Sequence, residues 1–328
     1  MAMAVYVNTN YSALQGQRYL GNVQNSLTTT YQRLSSGMRI NSAKDDAAGL
    51  QIADRLTSQI NGLNQGNRNA SDGIALAQTM EAGMDEISGM LQKIRTLTVQ
   101  AANGTNTAED RKALGKEMES LANEVNRIAM QTTYGGKKIL NGMGKDDSSL
   151  FGKDNDGFDK GKAGKDGTMT LQVGSNKGDT ISFTAKSFMF STIGAAANTN
   201  ALVKAGTDTV FGTDANTGKI TVTMSKLDFS DATKDNYVGN VIGLMDSMIG
   251  AVDAQRADLG AIQNRLESSI RNQSNVAANE ADARSRIRDA DFAEESANLS
   301  QQSIIQQAAA SMLMQANTRP QLGLSLLG

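Results

Sequence analysis

The chain has 328 residues, and its 32 Lys and Arg against 34 Asp and Glu leave a formal net charge of −2. It contains no His and no Cys, which excludes the usual nucleophile–base pairs, thiolate chemistry, disulfides and most zinc or iron sites, so neither a cofactor nor an enzymatic role is expected. The charge balance argues against nucleic acid as a partner, and no run of roughly eighteen apolar residues is present to span a membrane.

The opening Met1–Tyr6 lacks the basic region and apolar stretch of a secretory signal, so any export is expected to use a route without a cleaved signal peptide. From Asn8 to about Gly142 the pattern is helical. Leu20, Val23, Leu27, Tyr31 and Leu34 step by three or four residues, a seam of coiled-coil type. After a break at Ser35-Ser36-Gly37 the series resumes with Ile52, Leu56, Ile60 and Leu63. It then runs at sevens through Ala70, Ala77, Met84, Leu91 and Thr98, with Met80, Ile87 and Ile94 alongside. Asp45-Asp46 reads as a pair of helix-start carboxylates rather than a cation site. Asn103-Gly104 ends the long helix, and Thr107-Ala-Glu-Asp110 has the form of a capping box that starts the next one, with Leu114, Met118, Leu121, Val125 and Ile128 as its seam.

Between about Met143 and Tyr237 the character changes, because Gly, Asp, Lys and Thr dominate and short alternating runs appear at 168–173, 179–184 and 219–224. Gly174-Ser-Asn-Lys-Gly178 joins the first two as a hairpin. The stretch Gly144 to Gly167 is nearly devoid of apolar residues and is expected to be a mobile loop; it lacks the acidic spacing and final Glu of a calcium loop. A third helical region at about Asn240 to Asn279 carries Val241, Met245, Met248, Val252, Leu259, Ile262 and Leu266. The tail opens with a further capping pattern at Asp291–Glu294 and has a weak seam of Ile305, Ala308, Met312 and Ala316 before Pro320.

The fold class expected is therefore mainly α with a β-rich insert: long coiled-coil-like helices from both chain ends packed together, and a central β-hairpin region projecting outward. Its segments are 1–44 and 286–328 as the two parts of a terminal helical domain, 45–142 and 238–285 as the two parts of a helical bundle, and 143–237 as the insert. Each terminal stripe lacks a partner within its own segment, and helices of this length are marginal alone in water. Burying a Leu or Ile gains about 1.5–3 kcal/mol. The ends are accordingly expected to pair with each other and with neighbouring copies, ordering on assembly. The residues expected to carry this are Leu20, Val23, Leu27, Tyr31, Leu34, Ile305, Ala308, Met312 and Ala316.

Three blocks carry a family resemblance. They are Leu34-Ser-Ser-Gly37-Met-Arg39-Ile-Asn41-Ser-Ala-Lys44-Asp45-Asp46-Ala-Ala-Gly49-Leu, then Leu259-Gly-Ala-Ile-Gln263-Asn264-Arg265-Leu, and Ser285-Arg-Ile-Arg288-Asp289-Ala-Asp291-Phe292-Ala-Glu-Glu295. With these blocks at both ends in order, and with the ending Gln315-Ala-Asn317 and Leu324-Ser-Leu-Leu, the sequence resembles bacterial flagellin; Met38 stands where Leu is usual, and Gly328 replaces a basic last residue. The resemblance implies an extracellular flagellar filament built from many copies for swimming or swarming, with the chain ends forming an inner helical tube. A hook–filament junction protein is the nearest alternative role. It further implies export as an unfolded chain through the flagellar type III apparatus, a chaperone on the C-terminal tail, and contact with hook-associated junction and cap proteins. It also implies detection by the vertebrate flagellin-sensing Toll-like receptor, through positions matching Lys93, Leu97, Glu117, Gln263 and Arg265. Lys93 stands where the recognised version has Arg, and Lys lacks the planar forked contact of a guanidinium.

Overall fold

The computed structural model describes residues 9–142, 149–151, 166–197, 203–205, 209–213, 219–230 and 237–325. Most of the stretch expected as a mobile loop, 144–167, lies outside them. The described elements run α1 (Tyr11–Ser36), α2 (Ala47–Ala101), α3 (Ala108–Gln131), β1 (Thr133–Tyr134), β2 (Lys137–Lys138), β3 (Gly167–Gln172), β4 (Thr180–Ala185), α4 (Phe190–Ala197), β5 (Val203–Ala205), β6 (Phe211–Thr213), β7 (Ile220–Val222), α5 (Val238–Arg288) and α6 (Phe292–Ser325). They form two compact units, one of residues 62–274 and the other of 1–61 with 275–328, so that α2 and α5 each contribute to both.

Within residues 62–274, the heptad positions of α2 face a continuous apolar core. Ala70, Ala77, Met80, Met84, Ile87, Leu91 and Ile94 are all buried, as are Val241, Met245, Met248, Val252, Leu259 and Leu266 of α5. The two helices run antiparallel. Asn67 Nδ2 donates to Ser274 Oγ at 3.3 Å, Asp85 pairs with Arg256 at 3.1 Å, and Arg95 pairs with Asp246 at 2.5 Å. The partner moves back along α5 at the same rate that the residue moves forward along α2. That constant register is what an unbroken 3.6-residue periodicity on both helices enforces.

The capping box expected at the start of α3 is present: Thr107 Oγ1 accepts from Asp110 N, and Asp110 Oδ2 accepts from Thr107 N. Arg111, in the first turn of α3, donates through Nε to the carbonyl of Ala101, the last residue of α2, at 3.1 Å. Its guanidinium also sits 3.9 Å from the centroid of the Phe229 ring, so one side chain closes an open helix end and stacks on an aromatic.

β3 and β4 form the expected antiparallel hairpin, with Met169 opposite Phe183 and Leu171 opposite Ile181. It lies flush on α2 because α2 presents glycine there. A Cβ on Gly66 would fall 2.1 Å from the carbonyl oxygen of Val173, and one on Gly73 would fall 2.3 Å from Leu171 Cδ1. Asn69 Nδ2 donates to Gln172 O at 2.9 Å, and Gln255 Nε2 of α5 donates to Thr184 O at 3.0 Å, fixing the hairpin to both helices.

The sheet β5–β6–β7, parallel then antiparallel, is held to α3 by two side chains: Glu119, whose Oε2 accepts from Val222 N at 3.3 Å, and Asn123. Asn123 Oδ1 accepts from Ile220 N at 2.8 Å, and Asn123 Nδ2 donates to Ile220 O at 2.9 Å. A carboxamide thus takes the place that a neighbouring strand would otherwise fill. The tiny β1–β2 ladder, β5, β6 and α4 are additions to the sequence reading. Each is too short or too weakly patterned to stand out against its Gly- and Thr-rich surroundings.

Candidate assembly surface

Within residues 1–61 and 275–328, α1 and α6 lie antiparallel. Asn10 caps α1 by accepting from Ala13 N at 3.1 Å, and its Nδ2 reaches across to the carbonyl of Ala316 at 2.7 Å. Near the far end of α1, Arg33 Nη1 meets Glu295 Oε1 at 3.0 Å. Between these ties the apolar contact is thin. Gly16 carries no side chain where Leu313 approaches, and a Cβ there would lie 3.2 Å from Leu313 Cδ1. Beside it opens a groove of about 610 Å³ whose lining includes Gln15, Tyr19, Met312, Gln315 and Arg319.

The joint that carries the chain from α1 into α2 is tied by backbone. Gly37, in the left-handed conformation at φ 69°, ends α1 as the sequence break implied. Ala290 N donates to Gly37 O at 3.0 Å, while Arg39 N donates at 2.7 Å to Arg288 O, which also accepts from Ile40 N. Asp45 Oδ2 accepts from the backbone of Ser42 and Asn41, and those bonds hold its carboxyl below the usual carboxylate range. Asp46 Oδ1 accepts from Gly49 N at 2.9 Å, at the first turn of α2. Asp46 therefore serves helix-start chemistry, as its place in the sequence implied, whereas Asp45 departs from that expectation and closes the preceding turn on the backbone of Asn41 and Ser42.

The inward face of α1 is Ala13, Gly16, Leu20, Val23, Leu27, Thr30 and Leu34, of which Ala13, Val23 and Thr30 are fully buried and the others half-buried. Tyr31 is exposed, and Thr30 holds the buried place beside it. On α6 the inward positions include Glu295, Ile305, Ala309, Leu313 and Ala316, whereas Ala308 and Met312 face out. Thr30, Ala309 and Leu313 escaped the sequence reading because adjacent residues satisfy a three-or-four step equally well. Arg33 and Glu295 escaped it because a pattern of apolar residues is blind to a charged pair in a seam.

The outer faces carry unusual apolar exposure. Tyr11 is 73%, Phe292 71% and Met312 70% exposed, and Leu14, Tyr19, Ile304 and Met314 are exposed as well. Single exposed apolar residues are ordinary, but this many on two adjoining helices make them a candidate surface for another protein to cover.

The positions matched to receptor contact fall in the other unit. Lys93 and Glu117 are exposed on α2 and α3, Leu97 is half-buried against the core, and Arg265 is exposed on α5. Gln263 Nε2 donates to Glu81 Oε2 at 3.2 Å. That contact lies about 18 Å along α2 from Lys93 at 1.5 Å rise per residue, so these residues spread along the helices rather than cluster.

Comparison with known proteins agrees with this layout. Residues 7–145 match the profile described as bacterial flagellin N-terminal helical region, and residues 242–327 match the one described as bacterial flagellin C-terminal helical region. The chain belongs to the bacterial flagellin family. Flagellin A of Vibrio cholerae serotype O1 is 37% identical over 382 aligned residues, spanning 99% of this chain and 100% of the relative. Flagellin D of Vibrio anguillarum is 38% identical over 384, with the same coverage. A putative flagellar hook-associated protein from Vibrio parahaemolyticus, 16% identical, shares the fold with a TM-score of 0.51 across 75% of this chain and 100% of that one. As a flagellin the chain is a structural protein, a subunit of the flagellar filament. Among the described residues no helix is long and apolar enough to cross a membrane.

Proposed function

We propose that the chain is exported and polymerises through its terminal helices into an extracellular filament that drives swimming or swarming. The observation that carries this reading is the number of exposed apolar residues on α1 and α6: Tyr11, Leu14, Tyr19, Ile304, Met312 and Met314. Leu20, Val23, Leu27, Leu34, Ile305 and Ala316 hold the pair together, and Tyr31, Ala308 and Met312 meet neighbouring copies. Segments 1–44 and 286–328 form the inner helical tube, 45–142 and 238–285 the bundle, and 143–237 the variable insert. Export uses the flagellar type III route with a chaperone on the C-terminal tail, and hook-associated junction and cap proteins bound the finished polymer.

The test is deletion of the residues before Asn41 and after Arg288, followed by seeded polymerisation. Loss of polymer with a folded remainder supports the reading, and fibres as abundant as those of the intact chain overturn it.

Detection by the vertebrate flagellin-sensing Toll-like receptor is part of the same proposal. It is supported by the exposure of Lys93, Glu117 and Arg265, with Leu97 and Gln263 on the same helices. A receptor reporter that stays silent when given monomer would remove it.

A further inference from the structure

We propose that Asn103, in the turn between α2 and α3, is a site of spontaneous deamidation and isoaspartate formation. The chain contains the Asn-Gly dipeptide at 61–62, 103–104 and 141–142, and the fold treats the three differently. Asn61 and Gly62 lie inside α2, where the glycine N–H belongs to the helical hydrogen-bond ladder and the backbone has no freedom to curl. Asn141 is 2% exposed and bridged to Ser187, and the carbonyl of Gly142 accepts from Ser149 Oγ at 2.5 Å. Asn103 and Gly104 are both exposed, no heavy atom lies within 4 Å of where a Cβ on Gly104 would stand, and the Gly104 N–H donates no hydrogen bond among the described residues.

The chemistry needs only that freedom and water. The Gly104 amide nitrogen gives up its proton and attacks the side-chain carbonyl carbon of Asn103. A C–N bond forms, the bond to the side-chain NH2 breaks, and ammonia leaves carrying the proton, which gives a five-membered succinimide. Water then adds to either imide carbonyl. One opening leaves Asp, and the other routes the backbone through the β-carbon as isoaspartate. Glycine favours the first step because it has no Cβ to obstruct the curl.

The product has a local consequence. The carbonyl of Asn103 now accepts from Asn106 N at 3.3 Å and from Arg111 Nη2 at 3.4 Å, both holding the turn closed. Isoaspartate lengthens the backbone at that point by one carbon and sets a carboxylate just past the C-terminal end of α2, where negative charge is unfavourable to the helix.

The experiment incubates the intact folded chain in mildly alkaline buffer and follows the three peptides by mass, with isoaspartate methyltransferase labelling as a second readout. The Asn103 peptide is expected to gain acid mass and label while the other two stay amidated, and all three are expected to convert once the chain is unfolded in urea. Asn103→Gln should abolish the labelling, and Gly104→Ala should slow it several-fold. Equal conversion of the three sites in the folded chain, or an Asn103 that stays amidated while the unfolded chain converts, overturns the proposal.

Discussion

Arg33 of α1 and Glu295 of α6 meet at 3.0 Å, and Glu295 is only 6% exposed. Glu295 Oε2 and Arg33 Nε have no further partner among the described residues, so the pair is held by a single contact and is sensitive to removal of either member. Arg33→Ala would leave a carboxylate stranded in the seam. It is expected to destabilise the α1–α6 pair by about 2–3 kcal/mol, below the full buried-pair figure because Arg33 is part-exposed. Replacing both residues by Leu should cost clearly less. Urea titrations with limited proteolysis of the terminal helices would measure the difference.

Gly66 and Gly89 lie on the same helix and predict opposite outcomes for the same substitution. Alanine at Gly66 would drive its Cβ to 2.1 Å from the Val173 carbonyl, so overpacking of about 1–3 kcal/mol outweighs the gain in helix propensity. Alanine at Gly89 meets nothing within 4 Å and should stabilise by about 0.5–1 kcal/mol. Thermal unfolding of the two single variants separates them by sign.

Acid should weaken the chain through carboxylates that accept backbone hydrogen bonds. Hydrogen bonds from the Thr107 hydroxyl and backbone hold the Asp110 carboxyl below its ordinary value of 3.8, as the Ser42 and Asn41 backbone does for Asp45. A depressed carboxylate adds stability above its unfolded pKa and loses it as pH falls through the folded value, so the loss lies wholly in the acid range below about pH 4. Urea midpoints followed from neutral pH downward should fall there, and the fall should be shallower in Asp110→Ala.

Asn123 predicts a graded series. Asn123→Ala leaves both the N–H and the C=O of Ile220 without their partner and should cost about 2–3 kcal/mol. Asn123→Asp keeps the acceptor for Ile220 N but loses the donor to Ile220 O, and should fall between alanine and the natural residue. Melting temperatures in that order would establish the side chain as the clamp between α3 and β7.

The long helices were legible because heptad spacing without proline has few other readings. Ala70 through Thr98 on α2 and Val241 through Leu266 on α5 are buried as their spacing implied. The turn signals at Gly37, Thr107 and Gly174–Gly178 also stand where expected. The tail helix was harder. α6 continues through Pro320 to Ser325, and while Ile305 and Ala316 face inward as expected, Ala309 and Leu313 take the inward places one position from Ala308 and Met312. A helix whose apolar residues fall on both faces offers no unique stripe, and the choice of face is made by tertiary partners such as Leu313 against Gly16. β3, β4 and β7 fall on the alternating runs at 168–173, 179–184 and 219–224, whereas β1, β2, β5 and β6 are only two or three residues long and carry no alternation to find.

The opposite directions of α2 and α5 have a consequence for how such a chain can change over time. Everything between Ala101 and Val238 departs from and returns to the same end of that pair. Residues can be gained or lost in this excursion without sliding Arg95 off Asp246 or Asp85 off Arg256. The register of the helix pair is thereby set independently of how much chain lies between its two members, and connecting loops can drift in length while the helices keep their alignment.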